Sequence, residues 1–346
     1  MDYIVRKRKG IGKAYLILLL AMMALLVACS NDDGDATDEK VAEQEVENEE
    51  EGLEENNEAE EVGLTLENDG IDEADLNEAL EEFPEEIPER LITTSVPLAE
   101  MLSLLDITPV GVPTSTNPLP EDFKDIDQIG SPMAPDLEVI TELSPDLVLG
   151  AESLRSSLEE SLGGMDLPTA YLRTDSFDDL KLAFKALGTY YGKTEEMNEK
   201  LQSILDKENE LVQLMEDETL PSVMLMIGTS DSFMVMSDQS YLGSLVDRLG
   251  AENIATTLLN VESTYSTMNM EDIVVADPDL ILVLASGDHG ATEEMFEKEV
   301  ENNDLWKTLS AYENDNIHIL DYEVFGVTSI LNVETALSEV VNFFIE

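Results

Sequence analysis

Cysteine and histidine are almost absent from this chain, which has one Cys and two His among 346 residues. A single cysteine excludes a disulfide framework and any zinc or iron–sulfur site that needs several thiolates. Two histidines leave little room for a multi-histidine metal site or a histidine-based catalytic triad. The length still allows one large domain or two ordinary ones, each able to bury its own core.

Basic side chains are also scarce, since 18 Lys and Arg face 77 Asp and Glu and the formal net charge is −59. So acidic a surface argues against a nucleic-acid partner, because phosphate binding requires Lys and Arg as counter-charge. Residues 31–89 are the most acidic part, with 27 acidic side chains and one lysine. Such a carboxylate shell keeps a protein soluble at high salt and indicates its environment more than its function.

The amino terminus has the pattern of an export signal. Five basic side chains lie within the first 13 residues, and an apolar run from Ala14 to Ala28 ends at Cys29. The run is shorter than the roughly 20 apolar residues of a membrane span, so we interpret residues 1–28 as a signal peptide. Residues 26–29 resemble the lipobox of bacterial lipoproteins, which implies lipidation of Cys29 and anchoring to the extracytoplasmic face of the cell membrane. The alternative is an uncleaved anchor with an incidental cysteine.

Residues 29–88 have the composition of a disordered tether, because they are acidic and contain almost no aromatic side chains. Repulsion between like charges extends such a segment and holds a following domain away from the membrane. A short amphipathic helix is compatible with residues 72–83, and Pro84 and Pro88 would end it.

From Arg90 onward the pattern alternates short apolar strands with amphipathic helices. This alternation predicts an α/β fold of two Rossmann-like lobes with mainly parallel sheets. We place the first lobe at residues 89–192 and the second at residues 218–346. Residues 193–217, which contain neither Gly nor Pro, are predicted to form the single long helix that joins them.

An internal repeat supports the two-lobe interpretation. Residues 137–149 and 270–282 both read as a short helix, then Pro-Asp, then an apolar strand. In each copy a glutamate, Glu138 or Glu271, precedes the proline by seven residues and so lies near the helix start, where negative charge suits the helix dipole. A duplicated lobe indicates a bilobed molecule with a cleft between its halves.

This repeat resembles that of the substrate-binding lipoproteins of bacterial ABC importers for siderophores, cobalamin and heme. Four further segments resemble, more narrowly, the heme-binding lipoprotein of the iron-regulated surface determinant (Isd) system: residues 129–138, 240–246, 250–254 and 303–307. The similarity extends from about Arg90 to the carboxyl end and leaves out the tether. The resemblance implies a class III substrate-binding fold, heme as the cargo, an ABC permease as the partner and no enzymatic activity.

Met133 is the first candidate ligand residue. Most of the 15 methionines must fill the core, and packing is the ordinary role of any one of them. Met133, however, lies in Gly-Ser-Pro-Met-Ala-Pro-Asp, where the flanking prolines favour a rigid loop edge over an apolar helix face. A thioether is a soft ligand that suits heme iron. The resemblance implies that Met133 is an axial ligand of heme b (iron protoporphyrin IX), which is the transported ligand.

His289 is the second candidate, in a small polar loop that follows the buried strand at residues 281–284. Ligands of α/β folds bind outside the carboxyl ends of the strands, which is where this pattern places His289. The resemblance implies that a histidine after this strand is the second axial ligand. The alternatives are an ordinary surface histidine and the rival His318, which lies in a strand-like alternation.

Hydroxyl groups are candidate partners for the heme propionates. Thr94 and Ser95 end the first strand before a helix, and Ser115 and Thr116 follow in a polar loop. Helix amino termini and hydroxyls bind carboxylates, although ordinary helix capping explains the same residues. Tyr265 is a further, weaker candidate for the cleft.

Glu138 and Glu271 have another role in the resembled superfamily, where one acid from each lobe docks on arginines of the permease. Their matched positions in the repeat support this role, and helix-start charge is the plainer explanation. The function we infer is capture of heme and its delivery to an ABC importer by a monomeric surface lipoprotein, with upstream cell-surface heme donors as further partners.

Three alternatives remain open at this stage. One is a ferric siderophore or a corrinoid as cargo, although the scarcity of arginine favours heme. Another is an extracytoplasmic enzyme, for which the sequence offers no nucleophile–base pair. The third is an adhesive acidic surface protein, against which the internal repeat argues.

Overall fold

The computed structural model describes residues 69–228, 232–267, 270–285 and 289–345, and the side chains of residues 289–293 lie outside this description. The predicted signal peptide, Cys29 and most of the predicted tether therefore lie outside the described residues.

The described chain alternates helices with strands, as the sequence pattern predicts. Its helices are α1 Glu73–Glu81, α2 Val96–Leu104, α3 Leu137–Leu143, α4 Arg155–Leu162, α5 Phe177–Tyr190, α6 Thr194–Met215, α7 Tyr241–Arg248, α8 Ile254–Thr257, α9 Met270–Ala276, α10 His289–Asn302, α11 Ser310–Glu313, α12 Tyr322–Phe325 and α13 Val333–Ile345. Its strands are β1 Leu91–Thr93, β2 Gly130–Ser131, β3 Ala134–Pro135, β4 Leu147–Ala151, β5 Thr169–Leu172, β6 Ser222–Gly228, β7 Phe233–Met236, β8 Glu252–Asn253, β9 Tyr265–Ser266, β10 Leu280–Ala285 and β11 Ile317–Ile319.

The first sheet is wholly parallel, with the order β1-β4-β5. Its central strand β4 is buried along its whole length, and alternate side chains enter different cores. Leu147 and Leu149 pack into the largest core cluster, whereas Val148 packs into a smaller one. This period of two is expected of a strand covered on both faces.

The second sheet is mixed but mainly parallel, with the order β11-β10-β6-β7-β9 and with β8 also paired to β6. Strands β6, β8, β10 and β11 pair in parallel, whereas β7 pairs antiparallel with both of its neighbours, β6 and β9. The α/β fold with mainly parallel sheets is thereby confirmed.

The two sheets share one hydrophobic core. Helix α6, with 22 residues, runs between them and buries Leu201, Ile204 and Leu211. The same core cluster contains Leu98 of the first lobe and Leu245 of the second. Because close-packed side chains resist large shifts, a shared core favours small relative movements of the lobes.

The sequence repeat is also a structural repeat. Helices α3 and α9 each have seven residues, and each is followed by a left-handed residue, Ser144 with φ 45° and Asp277 with φ 43°. The aspartate of each Pro-Asp pair then accepts a backbone N–H at the start of the neighbouring strand. Asp146 accepts from Arg90 at 2.9 Å and Asp279 accepts from Ser222 at 3.0 Å. The Pro-Asp motif therefore ties each helix–strand unit to the next strand of its sheet.

The folded region begins before residue 89, and the predicted tether boundary is corrected accordingly. Helix α1 packs against α5, and Leu76 and Leu80 contact the main core. Phe83 is 8% exposed and stacks on Tyr190 with ring centroids 4.3 Å apart. Glu82 accepts a hydrogen bond from Arg155 at 2.9 Å. Apolar residues spaced by three or four outweigh the acidic composition here, because they give the helix one face to bury.

Replacing Phe83 with alanine is expected to lower the free energy of unfolding by about 3 kcal/mol, because a large buried ring is lost from the core. Ile87 lies four residues later and is 57% exposed, so Ile87→Ala is the matched control and should change stability by less than about 0.5 kcal/mol. Urea denaturation of both variants measures the difference. Equal effects would show that this segment does not contribute to the core.

Candidate functional site

The carboxyl ends of parallel strands meet at one edge of each sheet, and α/β proteins bind their ligands at such edges. In the first lobe this edge follows Thr93, Ala151 and Leu172. In the second lobe it follows Gly228, Ala285 and Ile319. Residues 229–231 and 286–288, which follow two of these strands in the sequence, lie outside the described residues.

Met133 lies at the tip of a small hairpin ahead of α3. Strands β2 and β3 pair Ser131 with Ala134, so Pro132 and Met133 form the turn. The Met133 side chain is 61% exposed, although it is large and apolar. Most methionines of a folded protein fill gaps in its core, so this thioether is displayed at the surface rather than packed.

The backbone around the hairpin is held in place by several hydrogen bonds. Gly130 has φ +91°, and a Cβ atom there would come within 2.9 Å of the backbone nitrogen of Asp136, so only glycine fits. The carbonyl of Gly130 accepts from the Thr114 N–H at 2.8 Å, and the carbonyl of Ile129 accepts from Asp136 at 2.7 Å. Asp136 in turn caps α3 through the N–H groups of Glu138 and Val139. Met133 is therefore presented on a fixed support.

His289 is the first residue of α10, which follows β10. The sequence predicts a small polar loop at this position, and that prediction is corrected because the helix begins at the histidine itself. The side chain of His289 lies outside the described residues, and its role as a ligand stays a prediction.

His318 is part of the second sheet. Its backbone pairs with Leu282 in the register of β10 and β11. Its half-buried imidazole ring lies 5.1 Å from the ring of Phe343 on α13. This packing gives His318 a structural role.

Thr94 and Ser95 lie at the edge of the first sheet, directly before α2. Ser95 caps α2, since its side chain accepts from the Leu98 N–H at 3.5 Å. Thr94 is 1% exposed, and its hydroxyl has no hydrogen-bond partner among the described residues. A buried polar group without a partner costs free energy, which a bound ligand could recover. This hydroxyl lies at the start of a helix, where anions bind.

The remaining predicted hydroxyl groups occupy two places. Ser115 accepts from the Asn117 N–H at 3.0 Å in a turn, and Thr116 is exposed beside it. Tyr265 lies on β9 of the second lobe and is 47% exposed. Partial burial raises the pKa of Tyr265, and the carboxylate of Asp175 in the first lobe raises it further.

A cavity of about 470 Å³ lies between the lobes beside Tyr265. It is lined by Arg173, Asp175, Ser176, Asp178, Asp179, Asp238, Gln239, Ser244, Asp247, Arg248 and Thr264. Both arginines are already paired, Arg173 with Asp179 at 3.1 Å and Arg248 with Asp178 at 2.5 Å. The walls of this cavity thus offer no unpaired arginine to an anionic ligand.

Charged groups also connect the lobes. Lys181 of α5 is 3% exposed and lies 3.0 Å from Asp178 and 3.4 Å from Glu208. Arg248 of the second lobe reaches Glu208 as well, at 3.3 Å. Two positive and two negative groups therefore balance where α5, α6 and α7 meet, as a buried ion needs.

Glu138 and Glu271 occupy the same position in the structural repeat. Each is the second residue of its helix, α3 or α9, and each is exposed. Since both copies continue through the Pro-Asp turn into a central strand of their sheets, each glutamate has the same placement in its own lobe.

Known proteins resemble the chain over most of its folded region. A family model for the periplasmic binding proteins matches residues 91–324. The high-affinity heme uptake system protein IsdE of Staphylococcus aureus (strain bovine RF122) is 30% identical over 259 residues, which cover 74% of this chain and 87% of that protein.

Two solved structures have the same fold. An ABC transporter substrate-binding protein from Listeria monocytogenes is 31% identical with a TM-score of 0.69, covering 75% of this chain and 99% of that one. The structure of S. aureus IsdE complexed with heme is 27% identical with a TM-score of 0.69, covering 74% of this chain and 99% of that one. The chain therefore belongs to the periplasmic binding protein family, as a substrate-binding protein of an ABC importer and not an enzyme.

Proposed function

We propose that this protein captures heme b between its two lobes and delivers it to an ABC permease for iron acquisition. The observation that carries the proposal is the exposed thioether of Met133, held at the turn of the β2–β3 hairpin in the first lobe. The 30% identity with a heme uptake protein supports the same cargo.

Met133 and His289 are the axial ligands in this proposal. A thioether and an imidazole form an established pair around heme iron. Met133 belongs to the first lobe and His289 follows a strand of the second. Because both lobes complete the coordination, heme would stabilise one closed arrangement, and the shared core would keep the closing movement small.

The propionates of heme would bind at the start of α2. Thr94 offers a buried hydroxyl that has no partner among the described residues, and Ser95 caps the helix beside it. Ser115, Thr116 and Tyr265 are secondary candidates for the same carboxylates. Hydroxyl donors would suit this role because the arginines of the inter-lobe cavity are paired with aspartates.

Replacing His289 with alanine is expected to accelerate heme dissociation by at least about tenfold, since loss of a metal ligand costs no less than loss of a residue that supports one. His318→Ala is the matched control and should leave the rate nearly unchanged, because His318 packs on Phe343. Transfer of heme to an excess of apoglobin measures both rates. If the two variants lose heme at equal rates, or if His318→Ala loses it faster, His289 is not the second axial ligand.

The alternative cargo is a ferric siderophore or a corrinoid. Anionic chelates need counter-charge, and Arg155, Arg173 and Arg248 are each ion-paired with carboxylates. Quenching of the fluorescence of Trp306 by hemin, a ferric catecholate and cobalamin compares the three cargoes. We expect hemin to saturate the quenching at a lower concentration than the other two ligands. If the ferric catecholate or cobalamin binds more tightly than hemin, heme is not the cargo.

The proposed location is the extracytoplasmic face of the bacterial membrane. Residues 1–28 would direct export, two or more acyl chains such as palmitate on Cys29 would anchor the chain stably, and the acidic segment would hold the body away from the lipid. No helix of the described residues is long and apolar enough to cross a bilayer. We further propose that the protein acts as a monomer and receives heme from donor proteins at the cell surface.

A further inference from the structure

Glu100 is a buried acid at a contact between the two lobes. It lies in the middle of α2, in the first lobe, and is 6% exposed. Its carboxylate accepts a hydrogen bond of 2.8 Å from the hydroxyl of Ser329, which lies 229 residues further along the chain, in the second lobe. An acid is almost never fully buried unless it is paired, and no positive charge in the described part of the chain pairs with this one.

The groups around Glu100 are donors without charge. The backbone N–H groups of Ile330 and Leu331 act on the carboxylate together with Ser329. Tyr241 of α7 is also buried there, and its hydroxyl donates to the Ser329 carbonyl at 3.5 Å. Burial keeps the pKa of Tyr241 far above neutrality, and the nearby Glu100 raises it further.

The other described elements that pack on α2 are β1, β4 and α5, and none of them places an unpaired charged side chain beside Glu100. Strands β1 and β4 carry no titratable side chain. On α5, Lys181 is engaged with Asp178 and Glu208, and Lys185 is engaged with Asp69. Among the described residues, Glu100 therefore has no cation to compensate its ionised form.

The contact lies close to the proposed ligand edge in both lobes. Glu100 follows Ser95, the cap of α2, by little more than one helical turn. Ser329 follows α12, which in turn follows the carboxyl end of β11. A change at the Glu100–Ser329 contact therefore acts on the edges between which the ligand would be held.

We propose that Glu100 is a positioning residue that couples closure of the two lobes, and hence retention of the ligand, to its own protonation. The link to retention rests on the proposed function, in which a ligand lies between the lobes. The link to closure rests only on the Glu100–Ser329 contact and does not depend on the nature of the ligand.

The direction of the coupling follows from the environment. Burial raises the pKa of Glu100 to about 7, against 4.5 for the solvated group, while the hydrogen bonds from Ser329, Leu331 and Ile330 lower it in part. A group with a raised pKa stabilises the closed form below pH 4.5 and loses that contribution as the pH rises through 7. Deprotonation therefore favours opening of the lobes and release of the ligand at neutral to alkaline pH.

The test is carried out on the ligand-free protein first. Hydrogen exchange at the amides of Ile330 and Leu331, corrected for the intrinsic rate, should rise about tenfold between pH 6 and pH 8 in the wild type. Glutamine has the shape of glutamate but cannot ionise. In Glu100→Gln the corrected exchange rates of these amides should therefore not change between pH 6 and pH 8. Ser329→Ala removes a donor that lowers the pKa of Glu100, so its transition should move to higher pH.

The same three proteins are then loaded with hemin, and transfer of heme to apoglobin is timed at pH 6 and pH 8. Between pH 6 and pH 8, the rate of heme transfer from the wild type should rise by a factor about ten times larger than the rate from Glu100→Gln. Parallel pH profiles of amide exchange in the wild type and Glu100→Gln would overturn the coupling. A pH-dependent exchange without a pH-dependent heme transfer would leave closure linked to Glu100 and would contradict the placement of heme between the lobes.

Discussion

Replacing Met133 with alanine is expected to convert the hemin-loaded protein from a low-spin to a high-spin spectrum and to speed heme loss by at least about tenfold. Two strong axial ligands keep heme iron low-spin, and removal of one leaves a weak ligand or an open position. The Met133 side chain is 61% exposed, so its truncation removes little core packing. The optical spectrum of the ferric complex measures the change.

Met133→Leu separates ligation from packing. Leucine keeps most of the apolar volume of methionine but has no sulfur. If Met133 binds iron, the alanine and leucine variants should give the same high-spin spectrum at an unchanged melting temperature. A leucine variant with the wild-type spectrum would assign Met133 a packing role, and the proposed ligand pair would be wrong.

Reversing Glu138 and Glu271 together to lysine is expected to abolish heme transport while heme binding stays intact. Equivalent positions in the repeat place one acid on each lobe. Lysines there would meet the arginines proposed on the permease, and like charges in contact cost several kcal/mol. A loss of docking affinity of at least about 100-fold follows. Transport by the cognate permease in proteoliposomes measures it.

The control for docking uses another acid of the same body. Glu199 is exposed on the connecting helix α6, outside the repeated unit. Glu199→Lys changes the net charge as each single reversal does, and it should leave transport nearly unchanged. If Glu199→Lys harms transport as much as Glu138→Lys, the attraction is diffuse and the two-point docking proposal fails.

The α/β architecture was predictable because the informative patterns are local. Helix α3 lies where residues 137–149 predict a short helix before Pro-Asp, and in the structure Asp136 caps its start. The strands β4 and β10 are continuous apolar runs, which is typical of strands buried on both faces. The repeat of these units along the chain carries the two-lobe interpretation.

Parts of the candidate site were not predictable because their cause lies far away in the sequence or in too few residues. The hairpin that presents Met133 has two strands of two residues each, too short to show a period. Glu100 is a single acid in an apolar helix, and its partner Ser329 is 229 residues away. The hydroxyl of Thr94, which has no partner among the residues described, depends on the packing around it, which composition cannot show.

The acidic segment before the first lobe shows how composition can mislead. Residues 69–88 carry many carboxylates, yet Phe83 and the apolar face of α1 bury against α5. Net charge describes the average of a segment, whereas folding depends on whether its few apolar side chains lie on one face.

The absorption spectrum of the purified protein after addition of hemin tests the central claim most directly. Ligation by Met133 and His289 predicts a sharp Soret band with low-spin character that saturates at one heme per protein. A broad band like that of free hemin, or a spectrum that never saturates, would contradict heme as the cargo of this protein.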